Sequence, residues 1–307
     1  MICALYDRMA RSADRVVQPA VTAFAELIAH RTGAAAVLFY GSNLRTGSLD
    51  GVLDFYALMP GKQVDRIWPR VSYHEWHYEG IDLRAKIARM SLEKFTEACS
   101  GATLDTTIWA RFVQPSALVF ALSCECREEV LSALAKAVRT AGMLAAVIGP
   151  ERGRESAYWT ALFDATYKAE FRVEKPGRAA SIVETHCDHF EGLLPLAWTA
   201  LDLPYLQQKG ELYPQVTPSQ RDFVMRWWVR REKLGKALNL MRLAKATKTF
   251  DGAAAYGIWK LERHTGIALD RTPFREKHPI LAAPGAWREY RRKKRAAQAA
   301  RHTNVGN

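Results

Sequence analysis

Two short apolar segments, joined by a glycine-serine turn and a polar loop, constrain this chain more than any other feature. The first segment, residues 34–40, runs directly into Gly41-Ser42, and the second, residues 52–59, carries Asp54 near its start. Short apolar runs bounded by turn residues are typical of buried strands. Glycine allows a ligand to approach the backbone closely, and hydroxyl and amide groups bond anionic oxygens, so the turn predicts a phosphate-binding site.

Two carboxylates near the second segment could bind a Mg²⁺ ion beside such a phosphate. An aspartate inside an apolar strand is costly unless it lies at the strand end, is paired or binds a metal, which makes Asp54 a candidate Mg²⁺ ligand. Asp50 would share its face if the strand reached back that far. Nucleotidyltransferases use this arrangement with an Asp-x-Asp pair, whereas Val52 occupies the first position of that pair here. Alternatively, Asp50 is a turn residue and Asp54 a charge at a strand edge.

A further strand is predicted over residues 83–90, where apolar residues alternate with Arg84, Lys86 and Arg89. Cations on the same sheet face as the carboxylates could neutralise the charge of a triphosphate. Lys86 is therefore a candidate catalytic residue. The alternative is that these side chains form an exposed polar face.

Length and periodicity predict an α+β chain in which a small mixed-sheet domain is followed by an α-helical domain. The 307 residues correspond to about two domains. We place the first domain at 1–120, the helical domain at 121–287 and a basic tail at 288–307. The pattern also predicts one helix over 4–31, a loop over 43–51, a short helix over 62–69, and only helices from about residue 105 onwards.

Charge and cysteine content narrow the range of partners. Lys and Arg number 44 against 32 Asp and Glu, a net charge of +12 that favours a nucleotide, a nucleic acid or an acidic membrane surface. A basic but functionally neutral surface is the alternative. Five cysteines without a Cys-x-x-Cys motif indicate reduced thiols in the cytoplasm. No uninterrupted apolar run approaches about 18 residues, so we expect any membrane contact to be peripheral.

Three other motifs each have a functional and a structural interpretation. Trp227-Trp228, among arginines, could stack bases or lie at a lipid interface, but tryptophans are more often packed in the core. His186-Cys187 and His189 are metal-ligand types, yet no second cluster completes a zinc site. The basic tail could be solvated, could contact nucleic acid, or could tether the chain to anionic lipid.

Five segments, in the same order along the chain, resemble the mitochondrial type of phosphatidate cytidylyltransferase (CDP-diacylglycerol synthase), which has bacterial relatives. The segments are Tyr40-Gly41-Ser42, Leu53-Asp54-Phe55, residues 83–88 with Lys86, residues 105–115 with Arg111 and Pro115, and residues 165–173 with Tyr167, Glu170 and Arg172. In this family the second segment carries a single aspartate. The chain departs from the family pattern at Asn43, Ala110, Gln114 and Glu170.

The resemblance implies a nucleotidyltransferase fold and transfer of CMP from CTP to phosphatidic acid at the inner face of the cytoplasmic membrane. It implies Mg²⁺ on Asp54, with Asp50 as a second candidate ligand and Glu170 either as a further ligand or as the residue that fixes Arg172. Gly41 and Ser42 would bind the β- and γ-phosphates. Phosphate charge would be held by Lys86, Arg111 and either Lys168 or Arg172.

Two other hypotheses remain open from the sequence. The chain could be a nucleotidyltransferase acting on RNA, a soluble phosphate or a protein. It could also be a catalytically inactive module of the same fold that binds nucleic acid or membrane through its basic helices.

Overall fold

The computed structural model describes residues 2–170, 177–249, 253–265, 272–277 and 284–293, together with 267, 269, 270, 282 and 295. The strands are β1 (Ala36–Tyr40), β2 (Leu53–Met59), β3 (Arg70–Tyr78), β4 (Ile81–Ser91), β5 (Ser116–Ala121), β6 (Tyr205–Gln208) and β7 (Glu211–Pro214). The helices are α1 (Ile2–Ala13), α2 (Pro19–Thr32), α3 (Ser42–Thr46), α4 (Leu92–Cys99), α5 (Thr107–Phe112), α6 (Cys124–Ile148), α7 (Glu155–Ala169), α8 (Arg178–Thr185), α9 (Cys187–Phe190), α10 (Leu193–Ala200), α11 (Pro218–Thr249), α12 (Ala253–Thr265) and α13 (Pro273–Lys277).

A mixed five-stranded sheet forms the centre of the fold, in the order β3-β4-β2-β1-β5. β1 pairs antiparallel with β2 and with β5, β3 pairs antiparallel with β4, and β2 pairs parallel with β4. The parallel pair requires a crossover, which is supplied by β3 on the outer edge. The predicted α+β class is therefore confirmed.

The two faces of the sheet bury different helices because side chains alternate along each strand. One face carries Phe39, Phe55 and Ile87, which pack with α2. The other face carries Leu38 and Tyr56 and packs with α4, α5 and α6 in the largest core. On this second face, Tyr40 at the end of β1 and Asp54 near the start of β2 lie beside a cleft.

The largest core is continuous from α1 to α11. It includes Leu5, Leu38, Phe95, Trp159 and Trp228, so helices before and after the sheet share one apolar interior. The boundary predicted at residue 120 lies at the end of β5, and this core extends across it. The division into domains stays a prediction.

Four local predictions were wrong. The helix over 4–31 is two helices, because Pro19 begins α2 and the preceding Gln18 is extended. Residues 43–46 continue α3, and Gly47 then ends it in a left-handed conformation. Residues 62–69 form bends, where Gln63 accepts a hydrogen bond from the Ser91 N–H (2.7 Å).

The fourth wrong prediction is the purely helical pattern after residue 105. β5 completes the sheet beside β1, and β6 and β7 form a separate hairpin. β5 is a six-residue strand whose last five residues are apolar, and periodicity alone does not separate such a short run from a buried helix segment.

α6 is long and apolar enough to cross a membrane by length and composition, but 72% of its most apolar window is buried in the protein. It packs against α4, α5, α7 and α10. Such burial is typical of a core helix. No other helix in the described part of the chain is both long and apolar enough to cross a membrane.

Candidate functional site

Asp54 lies on β2 between residues of the two neighbouring strands. Its register partner on β1 is Tyr40, and its register partner on β4 is Lys86. The three residues share the face that carries Tyr56, because side chains two apart point to the same side. The sequence-based expectation that Lys86 is a cation on the carboxylate's face agrees with this register.

Gly41 lets the backbone pass directly beside the Asp54 carboxylate. The residue has φ 88° and ψ −163°, a combination almost restricted to glycine. A Cβ at this position would lie 2.9 Å from Asp54 Oδ2. The glycine is therefore required both by its backbone conformation and by the carboxylate next to it.

The loop after the turn is held by the Asn43 side chain. Asn43 is buried, and its amide donates to the carbonyls of Ser48 (2.9 Å) and Asp50 (2.8 Å). Ser42 is exposed at the start of α3, and its hydroxyl lies 3.4 Å from Asn43 Oδ1. Asp50 is exposed, three residues before β2 begins, and is outside the set of described residues that line the cleft. Its hydrogen bonds are those of a turn residue.

Arg111 approaches the same carboxylate from α5. Its guanidinium carbon lies 5.2 Å from the centre of the Tyr40 ring, within the range of a cation–π contact. Burial would lower the pKa of Arg111, but Tyr40 and Tyr56 and the carboxylates Glu170 and Asp54 outweigh it, and the pKa is raised. Arg111 therefore remains a cation at this position.

Glu170 is placed behind Arg111. It is only 5% exposed at the end of α7, and the Thr106 hydroxyl donates to its Oε1 (3.3 Å). Its charge acts on Arg111. This arrangement suits a carboxylate that positions the arginine.

The remaining predicted residues of the last segment are distributed differently. Lys168 is exposed in the last turn of α7 and does not belong to the described lining of the cleft, which receives Tyr167 instead. Arg172 lies outside the described residues.

Four of the predicted residues, Gly41, Ser42, Asp54 and Arg111, line a cleft of about 290 Å³, whereas Lys86 is next to Asp54 on the sheet and outside the described lining. Its described lining is Tyr40, Gly41, Ser42, Arg45, Asp54, Arg111, Gln114, Pro115, Tyr167, Arg178, Ile182 and His186. Asp54 is the sole carboxylate of that lining, against three arginines. A cleft with this charge favours an anionic ligand.

Sequence reasoning missed three of the polar residues in the cleft. Arg45 follows Ser42 by one helical turn, and that spacing could have identified it if α3 had been predicted. Arg178 and His186 come from α8 and its C-terminal end, and only tertiary packing brings them to the sheet. No local pattern points to Arg178, and the sequence singles out His186 only as a metal-ligand type beside Cys187.

The electrostatics of the cleft suit the binding of an anionic ligand. Burial raises the pKa of Asp54, and the charges of Lys86 and Arg111 oppose that rise. Burial lowers the pKa of His186, and Arg45, Arg15 and Arg178 lower it further. A bound anion would relieve the repulsion among these cations.

One carboxylate beside a glycine-serine turn is a donor set that fits Mg²⁺. Within the described ranges, no group of three or more His, Cys, Asp or Glu side chains could hold a metal by itself. Mg²⁺ usually takes one or two carboxylates together with substrate phosphates and water, in contrast to a full protein cage. Asp54 is the residue of the cleft that would provide the protein ligand.

Two of the other motifs have structural roles. Trp228 is buried, Trp227 packs on Trp109, and Arg231 lies over Trp227 (4.0 Å) while donating to the Gly101 carbonyl. The core interpretation of the tryptophan pair is confirmed.

His189 likewise has a structural role. It is buried, its Nε2 donates to the Val113 carbonyl (2.9 Å), and its Nδ1 lies 3.2 Å from the Ser12 hydroxyl. Both ring nitrogens are therefore engaged within the protein.

No family model matches this chain, and no curated protein matches it. The functional inference therefore depends on the residues of the cleft and on the resemblance described above.

Proposed function

We propose that this protein is a Mg²⁺-dependent cytidylyltransferase that transfers CMP from CTP to phosphatidic acid. One observation carries the proposal. Asp54 lies against the Gly41-Ser42 turn, with Lys86 beside it on the sheet and Arg111 across the same cationic cleft. A carboxylate, a phosphate-binding turn and two cations are the groups that phosphoryl transfer needs, since its catalysis is mostly placement and charge neutralisation.

Each residue has a distinct role in this proposal. Gly41 and Ser42 bind phosphate oxygens of the nucleotide, and Lys86 and Arg111 neutralise charge on the transferred phosphoryl group. Asp54 would hold the Mg²⁺ ion, which would supply Lewis-acid polarisation of the α-phosphate. Glu170 keeps Arg111 over the Tyr40 ring.

The reaction needs no strong base among the cleft residues. An oxygen of the lipid phosphate forms the new bond to the α-phosphorus as the bond to the β-phosphate breaks, and pyrophosphate leaves. The acceptor oxygen is already anionic, so no proton has to be removed. The protein's task is to bring two anions together, which agrees with the surplus of cations around Asp54.

Peripheral attachment at the cytoplasmic face of the membrane is part of the proposal. The described helical residues 284–293 carry the exposed Arg291 and Arg292 near Trp287, which is 56% exposed and stacks on Tyr290. An exposed tryptophan with neighbouring cations suits a membrane interface, where each Lys or Arg adds about 1 kcal/mol on an anionic surface.

The decisive experiment uses CTP labelled in the α-phosphate, Mg²⁺ and vesicles containing phosphatidic acid. The label is expected in the chloroform extract with the wild-type protein and to be absent with Asp54→Asn. Asp82→Asn serves as the matched control, since Asp82 is an exposed carboxylate on β4 outside the described cleft lining. Label in an RNA or protein fraction would show that the acceptor is RNA or protein and not the lipid. Equal activity of Asp54→Asn and wild type would reject an enzymatic role for this cleft and favour a binding module.

Nucleotide preference is tested separately by thermal unfolding with each of the four NTPs and Mg²⁺. Ligand stabilisation follows RT ln(1 + [L]/Kd), so a tenfold preference for CTP corresponds to about 1.4 kcal/mol at saturating ligand. Equal stabilisation by all four would reject CTP specificity.

A further inference from the structure

The cleft contains a second group of cations, separate from the pair that acts on Asp54. Arg45 on α3 and Arg178 on α8 line the cleft with His186, and Arg15 lies in the connection between α1 and α2. The charges of these three arginines all act on His186. Those acting on Asp54 are Lys86 and Arg111. We name the first set, Arg15, Arg45, Arg178 and His186, the His186 group.

No ion pair in the described part of the chain joins an arginine of the His186 group to a carboxylate. Arg15 donates to the Ser12 carbonyl (3.0 Å) and hydroxyl (3.3 Å), which fixes its position without neutralising it. Arg45 and Arg178 are exposed to solvent. Three like charges gathered at one histidine repel each other, and an anion is the ligand that would reverse this cost.

We propose that the His186 group binds the terminal diphosphate of the nucleoside triphosphate and the pyrophosphate released from it. Arg45 belongs to the short helix that begins with Ser42, so the turn and Arg45 reach one continuous ligand. A single phosphate monoester carries only about −1.5 to −2, so Arg45 and Arg178 of the lining, with the charge of Arg15 added, match a diphosphate better. The assignment to a triphosphate rests on the proposed function, whereas affinity for pyrophosphate itself does not.

The test is isothermal titration with inorganic pyrophosphate alone, without nucleotide, acceptor or turnover. Arg45→Gln and Arg178→Gln are each expected to weaken pyrophosphate binding about tenfold or more, since a charge-assisted hydrogen bond to phosphate is lost. Arg178→Lys should retain part of the affinity. Arg31→Gln is the matched control, an exposed arginine on α2 outside the described cleft lining, and should bind as the wild type. Unchanged affinity in both glutamine variants overturns the proposal.

A second titration, with glycerol 3-phosphate, separates the leaving group from the acceptor. If this monoester binds more tightly than pyrophosphate and loses its affinity in Arg178→Gln, the group binds the acceptor phosphate and our assignment is wrong. Asp54→Asn should abolish transfer and leave pyrophosphate affinity at or above the wild-type value. Loss of pyrophosphate binding in the arginine variants, without transfer by the wild type, would support the anion subsite and reject the proposed reaction.

Discussion

Replacing Gly41 by alanine tests the contact between the turn and Asp54 most directly. The backbone conformation at Gly41 costs other residues about 1–3 kcal/mol. The new Cβ would also lie 2.9 Å from Asp54 Oδ2, closer than ordinary contact, so the short aspartate side chain must rotate away. We expect the free energy of unfolding to fall by about 1–3 kcal/mol. Transfer should fall about 100-fold or more, because displacing a reacting group by about 1 Å has that effect.

Gly47→Ala is the matched control in the same loop. Gly47 also has a positive φ of 66°, but no described atom lies within 4 Å of a Cβ built there. We expect it to lose about 1–2 kcal/mol of stability from the left-handed backbone and to keep its transfer rate. Urea unfolding measures the first quantity, and initial rates at saturating CTP measure the second.

The double variant Gly41→Ala with Asp54→Ala completes the test. If the carboxylate is what the new methyl group meets, the two changes should be non-additive by roughly 0.5–3 kcal/mol in urea unfolding. Additive losses, or a Gly41→Ala transfer rate equal to that of Gly47→Ala, would refute the proposed contact.

Three further predictions concern ionisable groups, each measured by urea unfolding. Burial raises the pKa of Asp54 above its unfolded value of 3.8, so the folded state is destabilised by the ionised carboxylate above that pH. Asp54→Asn should therefore be more stable than the wild type at pH 7, although inactive. Burial lowers the pKa of His189 from 6.5 to about 4. Stability that is present above pH 6.5 should therefore be lost as the pH falls towards 4, by roughly 3 kcal/mol at about 1.4 kcal/mol per pKa unit. His189→Gln should remove that dependence. Arg242→Met should cost about 3–5 kcal/mol, because it leaves the Asp105 carboxylate buried without its partner.

Each of these predictions has an outcome that contradicts it. An Asp54→Asn variant no more stable than wild type at pH 7 would mean that Lys86 and Arg111 fully compensate burial. An unchanged pH profile in His189→Gln would assign the acid transition to other groups. The control for Arg242→Met is Arg152→Ala, which breaks an exposed pair with Glu211 and should cost less than about 1 kcal/mol. Equal losses in the two variants would show that burial of the pair is unimportant.

The part of the site that is local in sequence could be predicted. Gly41 and Asp54 are connected by one loop between neighbouring strands, so their proximity follows from recognising two strands and a turn. Lys86 followed from the alternation of β4, since a period of two fixes the face of a side chain. These inferences use only short-range geometry.

The rest of the site depends on packing between distant segments. Arg178 and His186 reach the cleft because α8 packs on α7, and neither helix has a pattern that announces an anion site. Asp50 failed to share the face of Asp54 because β2 begins at Leu53, and strand boundaries are the least reliable part of a sequence-based assignment.

The continuous core has a consequence for how the protein is made. Leu5 in the first helix and Trp228 in the eleventh belong to the same apolar cluster, and α1 packs on α6 and α10. During synthesis, α1 therefore leaves the ribosome before its packing partners, which follow more than a hundred residues later in the chain. A nascent chain stalled before α6 would expose the apolar side of α1 and of the sheet, which makes chaperone capture at that stage an expected feature of its biogenesis.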